Sequence, residues 1–340
     1  MVFRWFIAKF TPETGAGSHS IAMANFYDGK KVAVTGGSGL VGSYVVKALA
    51  ESGAKVRAIV HRRPPNEYTK MATEIVKKDL MSQDDAREAV AGAEIVFGAG
   101  GITGGIPLAL NDPGALVAPN AVINSQVIHA CAKARVERLG FVSSTVVYPA
   151  LERPVREEDS LIGEPYHLYS GIGWVKRFSE RLCKYYSDAY GMKVAIVRPS
   201  GVYGRYDNFD ESTSHVLPAF IKRAVSNPSG SFVVWGDGMD VRDFLHASDL
   251  ARALLLAVEK YAVCDAVNIA SGQAVTTKEL AQTVLRVTGS TAKLVFDPSK
   301  PTALKNRMVD ISKAKRVLGF EPRVSLQSGL QDTVEWYRNQ

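Results

Sequence analysis

Cysteine is scarce. Cys131, Cys183 and Cys264 are the only three in 340 residues, too few and too scattered for a disulfide framework. No Cys-x-x-Cys pair offers a zinc site, so we expect no metal and a reducing, cytoplasmic setting. No stretch approaches the roughly 18–20 consecutive apolar residues of a membrane helix, and no low-complexity tract interrupts the chain. Also missing is any basic cluster interleaved with aromatics, so the formal charge of +7 suits phosphorylated small ligands and not nucleic acid. What remains, 46% hydrophobic and 22% charged, is an ordinary soluble composition at a length that suits a two-lobed α/β enzyme. Residues 1–29 stand outside the pattern that follows. Met1–Phe10 is aromatic and basic, Gly15–Ser20 is small and polar, and neither an apolar core nor a cleavage pattern marks a targeting segment. This stretch is expected to be a flexible extension.

Lys31-Val-Ala-Val34 reads as a short buried strand, and Thr35-Gly-Gly-Ser-Gly-Leu-Val-Gly42 follows it at once. Leu40 to Ala50 then reads as a helix that turns Val41, Val45, Val46 and Leu49 to a core. In that order the glycines have separate tasks. Gly36 permits the tight turn, Gly39 lets backbone approach a pyrophosphate, and Gly42 lets the helix pack closely on the strand. Phosphate would meet the free amides at the helix N-terminus, around Gly39, Leu40 and Val41.

The second strand, Val56–Val60, ends in His61-Arg62-Arg63. An acid there would grip the adenosine ribose hydroxyls and favour NAD; three potentially cationic groups suit the 2′-phosphate of NADP. NADP is therefore expected, with NAD as the alternative. Strands at Glu74–Val76, Ile95–Phe97, Leu139–Val142 and Val194–Val197 alternate with helices at Ser82–Val90, Ala121–Ala134 and Val175–Tyr190. Asp79 and Leu80, after the third strand, are placed to meet the adenine. The glycine-rich run 98–105, with Ala99, follows the fourth strand where backbone can lie close to a cofactor. This alternation predicts a doubly wound parallel Rossmann sheet with ligands at the carboxyl ends of its strands. After residue 200 the alternation loosens, and His215–Ser226 and Thr276–Thr288 read as helices of a smaller lobe. We expect a Rossmann domain over residues 30–200, rejoined by strands near 233–273, and a mainly substrate-binding lobe over 201–340.

Four segments in this order carry a family resemblance: Thr35–Gly42, Ser143-Ser-Thr-Val-Val-Tyr148, Arg198-Pro-Ser-Gly-Val-Tyr-Gly204 and Arg242-Asp-Phe-Leu-His-Ala-Ser-Asp249. From about Lys30 to the C-terminus the chain resembles the extended short-chain dehydrogenase/reductases of the NAD-dependent epimerase/dehydratase family, which modify nucleotide sugars. Tyr206-Asp-Asn-Phe209, Ser214-His-Val-Leu-Pro218 and Val233-Val-Trp-Gly236 bring it nearest to GDP-L-fucose synthases, which epimerise and reduce a GDP-4-keto-6-deoxy sugar with NADPH. The resemblance implies that Ser144, with Thr145 beside it, binds the reacting sugar oxygen. It implies that Lys176 holds the nicotinamide ribose and tunes a neighbouring phenol, while Pro199, Ser200, Gly201 and Val202 line the nicotinamide. His215 matches an acid/base histidine, Asn208 belongs to the substrate segment, Trp235 would stack on the base, and Arg242 would pair with the diphosphate. Arg307 and Lys305 are further phosphate candidates. A homodimer through helices 121–134 and 175–190 is implied in the same way.

Three positions depart from that pattern. A tyrosine four residues before the lysine would lie on the same helical face, where an ammonium stabilises a phenolate. Here that position is Ile172, which moves no proton. Tyr169 is seven residues before Lys176, and Gly171 and Gly173 flank the gap, so we expect the helix to start late or bulge and Tyr169 to fold back into the vacant place. Tyr166 is farther away. Thr145-Val146 stands where 4,6-dehydratases carry Asp-Glu, and Val146 where GDP-L-fucose synthases carry a cysteine that removes a proton beside the ketone. The residues that remain suffice for hydride exchange through a 4-keto sugar. An epimerase is expected first, a 4-keto-sugar reductase second, and, as a different class, a nucleotide-binding regulator or scaffold that has lost catalysis at Ile172.

Overall fold

The computed structural model describes residues 26–340, so most of the expected N-terminal extension lies outside the described residues. Its last residues do not extend. Tyr27 is fully buried and its hydroxyl donates to the Leu255 carbonyl at 2.7 Å, so the core starts before the first strand.

Six strands alternate with helices as the sequence predicts: β1 (Lys31–Thr35), β2 (Lys55–Val60), β3 (Glu74–Lys77), β4 (Ile95–Gly98), β5 (Arg138–Val142) and β6 (Lys193–Pro199). Beyond them come β7 (Gly201–Tyr203), β8 (Ser231–Trp235), β9 (Val241–Arg242), β10 (Phe244–His246), β11 (Val263–Ile269), β12 (Val275–Thr276) and β13 (Lys293–Asp297). Seven of these form one parallel sheet in the order β11-β6-β5-β4-β1-β2-β3. The winding direction reverses between β1 and β4, and such a crevice is where open α/β sheets hold ligands.

Both faces of the sheet are covered, which is why its strands read as continuous apolar runs. Alternation still sorts them. Val32 and Val34 point into a core with helices Leu40–Glu51 and Ala247–Lys260, while Ala33 points into a second core with helices Gln83–Val90, Ala118–Lys133 and Ser170–Tyr190. Cys131 and Cys183 are buried in that second core, Cys264 is half-buried on β11, and all three are free thiols.

A third core builds the smaller lobe from helices Val216–Ser226, Thr277–Thr288 and Leu326–Arg338 with the parallel pair β8–β13. Of the stretch 233–273 expected to return to the main sheet, only β11 joins it. β8 stays in the lobe because Phe232 and Val234 pack there with Phe220 and Leu280.

Candidate active site

The first turn of the fold is built to hold a dinucleotide. Gly36 has φ +68°, and a Cβ on it would lie 2.8 Å from the Gly100 Cα. A Cβ on Gly42 would stand 2.1 Å from the Gly36 carbonyl oxygen, so only glycine lets the helix begin this close to the strand. Gly39 caps that helix in extended backbone with no side-chain partner, which leaves the first amides, at Leu40 and Val41, free for an anion. Thr35 fastens the next loop, its hydroxyl donating to the Phe97 carbonyl (3.3 Å) and accepting from the Gly100 amide (2.9 Å). The Ala99 carbonyl then lies against the glycine turn. A cradle that any Cβ would fill, beneath an uncapped helix end, fits a pyrophosphate.

Not every glycine of the 98–105 run serves that cradle. Gly105 seats the opposite lobe: its amide donates to the Thr213 carbonyl at 2.9 Å, and a Cβ there would meet the Ser214 carbonyl at 2.2 Å. At the adenosine end His61, Arg62 and Arg63 are exposed after β2. His61 Nε2 stands 3.9 Å from the Asp79 carboxylate, and Leu80 is buried beside it. Arg63 donates to the Tyr206 carbonyl at 3.0 Å, whereas Arg62 has no hydrogen bond or ion pair among the described residues.

At the end of β5, Ser144 is extended and its hydroxyl accepts from the Val146 amide at 3.3 Å. Lys176 faces the same strand end: its Nζ donates to the Val142 carbonyl at 2.9 Å and lies 5.1 Å from the centre of the Phe141 ring. Desolvation pushes its ammonium down to about 8, against the opposing pull of Glu180 and Cys183. Beneath both residues runs a buried network that sequence reading passes over. Glu180 accepts from Ser143 Oγ (2.5 Å) and from both arms of Arg198 (2.8 and 2.6 Å). Arg198 also donates to the Tyr148 hydroxyl (2.9 Å), which donates to Asn268 (2.6 Å). Its sequence signal is slight: an acid one helical turn after Lys176, and the arginine ahead of Pro199.

The helix around Ile172 neither starts late nor bulges past that residue. It runs unbroken from Ser170 to Tyr190, and a one-turn 3-10 segment, His167–Tyr169, precedes it. Gly171 and Gly173 are there for close packing: added Cβ atoms would lie 2.7 Å from Val117 and 2.6 Å from the Val146 carbonyl. Tyr169 is thus the residue before the helix, with its ring 5.0 Å from the Arg307 guanidinium. It lines a small cavity with Thr145, Val146, Tyr166, Arg307 and Met308. Among the described residues no hydrogen bond joins Tyr169 to Lys176; Lys176 bonds the Val142 carbonyl instead.

The opposite wall is cationic. Arg242 donates to the Leu304 carbonyl (2.5 Å) and to Asp240 (3.0 Å), and Arg307 donates to Thr145 Oγ1 (3.4 Å). Burial, with Arg307 nearby, draws Arg242 below its usual range despite Asp240. Two guanidiniums that act on each other through their charges favour a ligand with more than one negative charge. His215 precedes helix Val216–Ser226, and loss of water together with the charge of Arg307 pushes its imidazole down to about 4. His215 is exposed on the cleft, so that depression applies in full only once a ligand displaces water from the ring.

Asn208 is engaged within its own loop, donating to Thr213 (2.8 Å) and accepting from the Asp210 amide (3.1 Å), and so shapes the segment that carries His215. Trp235, half-buried, ends β8, and Lys305 is exposed. The 199–202 segment is held by Asp243, which accepts from Ser200 (3.2 Å) and from the Ser271 (2.8 Å) and Gly272 (2.7 Å) amides. Pro199 is buried and Gly201 lies open at that crossing, with Val202 half-buried behind it.

A glycine cradle at the switch point of a parallel sheet, with a serine and a desolvated lysine two strands away at the end of β5, defines a dinucleotide-dependent Rossmann enzyme. The profile of the NAD dependent epimerase/dehydratase family matches residues 32–270, and the chain belongs to that family. It is 34% identical over 334 residues to a probable GDP-L-fucose synthase 1 of Oryza sativa subsp. japonica, covering 95% of this chain and 96% of that protein. A dTDP-4-dehydro-6-deoxy-D-allose reductase of Streptomyces sp is 29% identical over 326 residues, 93% of this chain and 98% of its own. Among solved structures, a UDP-glucose 4-epimerase from Thermotoga maritima, crystallised with UDP-glucose, superposes with a TM-score of 0.80 at 26% identity, covering 91% of this chain and 98% of that one.

Proposed function

We propose that the protein is an NADP-dependent epimerase of a nucleoside-diphosphate sugar that works through a 4-keto form. One observation carries this reading: Ser144 and the Lys176 ammonium both lie at the carboxyl end of β5, where Arg307 reaches Thr145 beside Ser144 and acts on Arg242 through its charge. A ligand with a diphosphate on the arginines and a sugar ring at the serine fits that arrangement. The nicotinamide, when bound, supplies a two-electron hydride acceptor and donor. Gly36, Gly39 and the amides of Leu40 and Val41 would hold its pyrophosphate, and Lys176 its ribose. Ser144 would donate a hydrogen bond to the reacting oxygen. His215 would contact a sugar hydroxyl, and Tyr169 would meet the sugar beneath Arg307. Trp235 is the candidate for the base.

The preference for NADP rests on exposed Arg62 beside His61, with no acid at the end of β2. Thr145 and Val146 offer no group to expel water or to remove a proton beside the ketone, which favours simple hydride exchange at one carbon. The same cationic corner supports a second reading, an NADPH-consuming 4-keto-sugar reductase. Helices Ala118–Lys133 and Ser170–Tyr190 expose Val122, Trp174, Phe178 and Tyr185, which supports a homodimer.

Purified protein incubated with UDP-, GDP-, CDP- and dTDP-sugars, with and without NADPH, tests the assignment by mass spectrometry. We expect an isomer of unchanged mass. A gain of two hydrogens with loss of NADPH would select the reductase, and no conversion of any sugar would remove both.

A further inference from the structure

Arg307 rides on segment 304–310, which is tied to backbone on both sides. On the lobe side the Val241 amide donates to the Lys305 carbonyl (2.7 Å) and the Arg307 amide to the Val241 carbonyl (3.1 Å). On the sheet side the Val155 amide donates to the Met308 carbonyl (3.0 Å) and the Asp310 amide to the Val155 carbonyl (2.8 Å). Between these ties the segment walls the small cavity shared with Thr145 and Tyr169, and Arg307 reaches Thr145, the residue after Ser144. Each tie is a single bridge, too short a pairing to be stable by itself.

Asn268 supplies a further anchor. It is the penultimate residue of β11, at the carboxyl edge of the sheet, and it is fully buried. Its Nδ2 donates to the carbonyls of Val155 (3.2 Å) and Asp310 (3.3 Å), one on each side of the sheet-side bridge. Its Oδ1 accepts from the Tyr148 hydroxyl (2.6 Å), which in turn accepts from Arg198 (2.9 Å). Tyr148 closes the turn Thr145–Val147 that begins at Ser144. The partners fix the orientation of the amide: two carbonyls require the nitrogen, and a hydroxyl that already accepts from a guanidinium offers its proton to the oxygen. An aspartate would set an oxygen against two carbonyl oxygens, and an aliphatic residue would leave both unpaired.

One buried amide therefore joins the segment that carries Arg307 to the turn that carries Ser144. We propose that Asn268 is a positioning residue for substrate binding, holding the Arg307 guanidinium in register with Ser144 so that a diphosphate and its sugar are met together. It acts through Arg307 and touches neither part of the ligand. The inference rests on the reading above that Arg307 receives a diphosphate. The dinucleotide cradle has no share in these bonds, since β1 stands four places from β11 in the sheet.

The test separates the two ligands. Calorimetry with UDP, GDP, CDP and dTDP identifies the nucleoside diphosphate that the wild-type protein binds most tightly, and that one is the probe. Asn268→Asp should weaken it about tenfold, as expected for a displaced hydrogen bond to a charged group, with NADPH affinity by fluorescence unchanged. Arg307→Ala should weaken the same probe, and adding Asn268→Asp to it should cause no further loss, because both act at one guanidinium. Tyr148→Phe, which keeps the ring and withdraws the hydroxyl, should shift the probe in the same direction and leave NADPH alone, and it carries the test should Asn268→Asp not fold.

Three results overturn the assignment and leave the diphosphate reading standing: wild-type probe affinity in the variant that folds, an equal weakening of NADPH, or additive losses in the double variant. A wild-type protein that binds none of the four diphosphates, or an Arg307→Ala variant that binds the probe as wild type does, removes the diphosphate reading and the role of Asn268 with it.

Discussion

Gly42 carries a stricter demand than the glycines nearer the phosphates. Its absent Cβ would overlap a backbone oxygen that belongs to the turn itself, so a methyl group there displaces the cradle and not a side chain. Gly42→Ala should weaken NADPH binding by about tenfold or more, ~1.4 kcal/mol, in a fluorescence titration. Asp207 poses a different residue-scale problem. Its carboxyl is buried, with one oxygen unpaired, and desolvation pushes it up to about 7 against the pull of the Asn208 amide and Arg63. Between the usual carboxylate range and pH 7 the folded chain holds this proton and the unfolded chain does not. Stability is therefore lost as pH rises through that window, and the penalty is complete above it. Asp207→Asn should raise the melting temperature at pH 8, with the advantage gone near pH 4.

Helix Ser170–Tyr190 shows how far single-sequence reading reaches at the scale of an element. Its C-terminal half is legible from apolar spacing, and Gly191 closes it in the left-handed conformation. Its first turn is not, because Gly171 and Gly173 read as helix breakers while Val117 and the Val146 carbonyl crowd against them and require them. Contact across the fold overrides propensity there. The cradle was easier, since strand, glycine turn and helix are consecutive in the chain. The Glu180–Arg198 pair joins this helix to β6 with both partners largely buried. Glu180→Gln leaves Arg198 without a counter-ion, and urea unfolding should register a loss of about 3 kcal/mol. Ser143 and Tyr148, bonded to the same pair, tie that loss to the end of β5 where Ser144 stands.

At the scale of the whole molecule, the proposed reading sets the cofactor at the carboxyl edge of the sheet and the anionic substrate against the smaller lobe. The sheet was legible because its strands alternate regularly with helices. The lobe was not: β8 reads like any buried strand, and only its contacts with Phe220 and Leu280 decide where it pairs. Away from the cleft, Phe178 is 52% and Tyr185 64% exposed on one helix, more apolar surface than a solitary helix face needs. Under the proposed homodimer, light scattering should give a dimer for the native chain and a monomer for Phe178→Glu combined with Tyr185→Glu, with the circular dichroism spectrum intact.

The three thiols described within the fold have a practical corollary. Burial drives Cys131 and Cys183 far from ionisation and lifts Cys264 to about 11, so at neutral pH none presents appreciable thiolate to an alkylating reagent. The native chain is thus a nearly silent background for maleimide chemistry. A cysteine introduced on the exposed surface near Arg62 would be the fastest site to take a fluorophore, giving a reporter of dinucleotide arrival without first stripping the natural sulfur from the molecule.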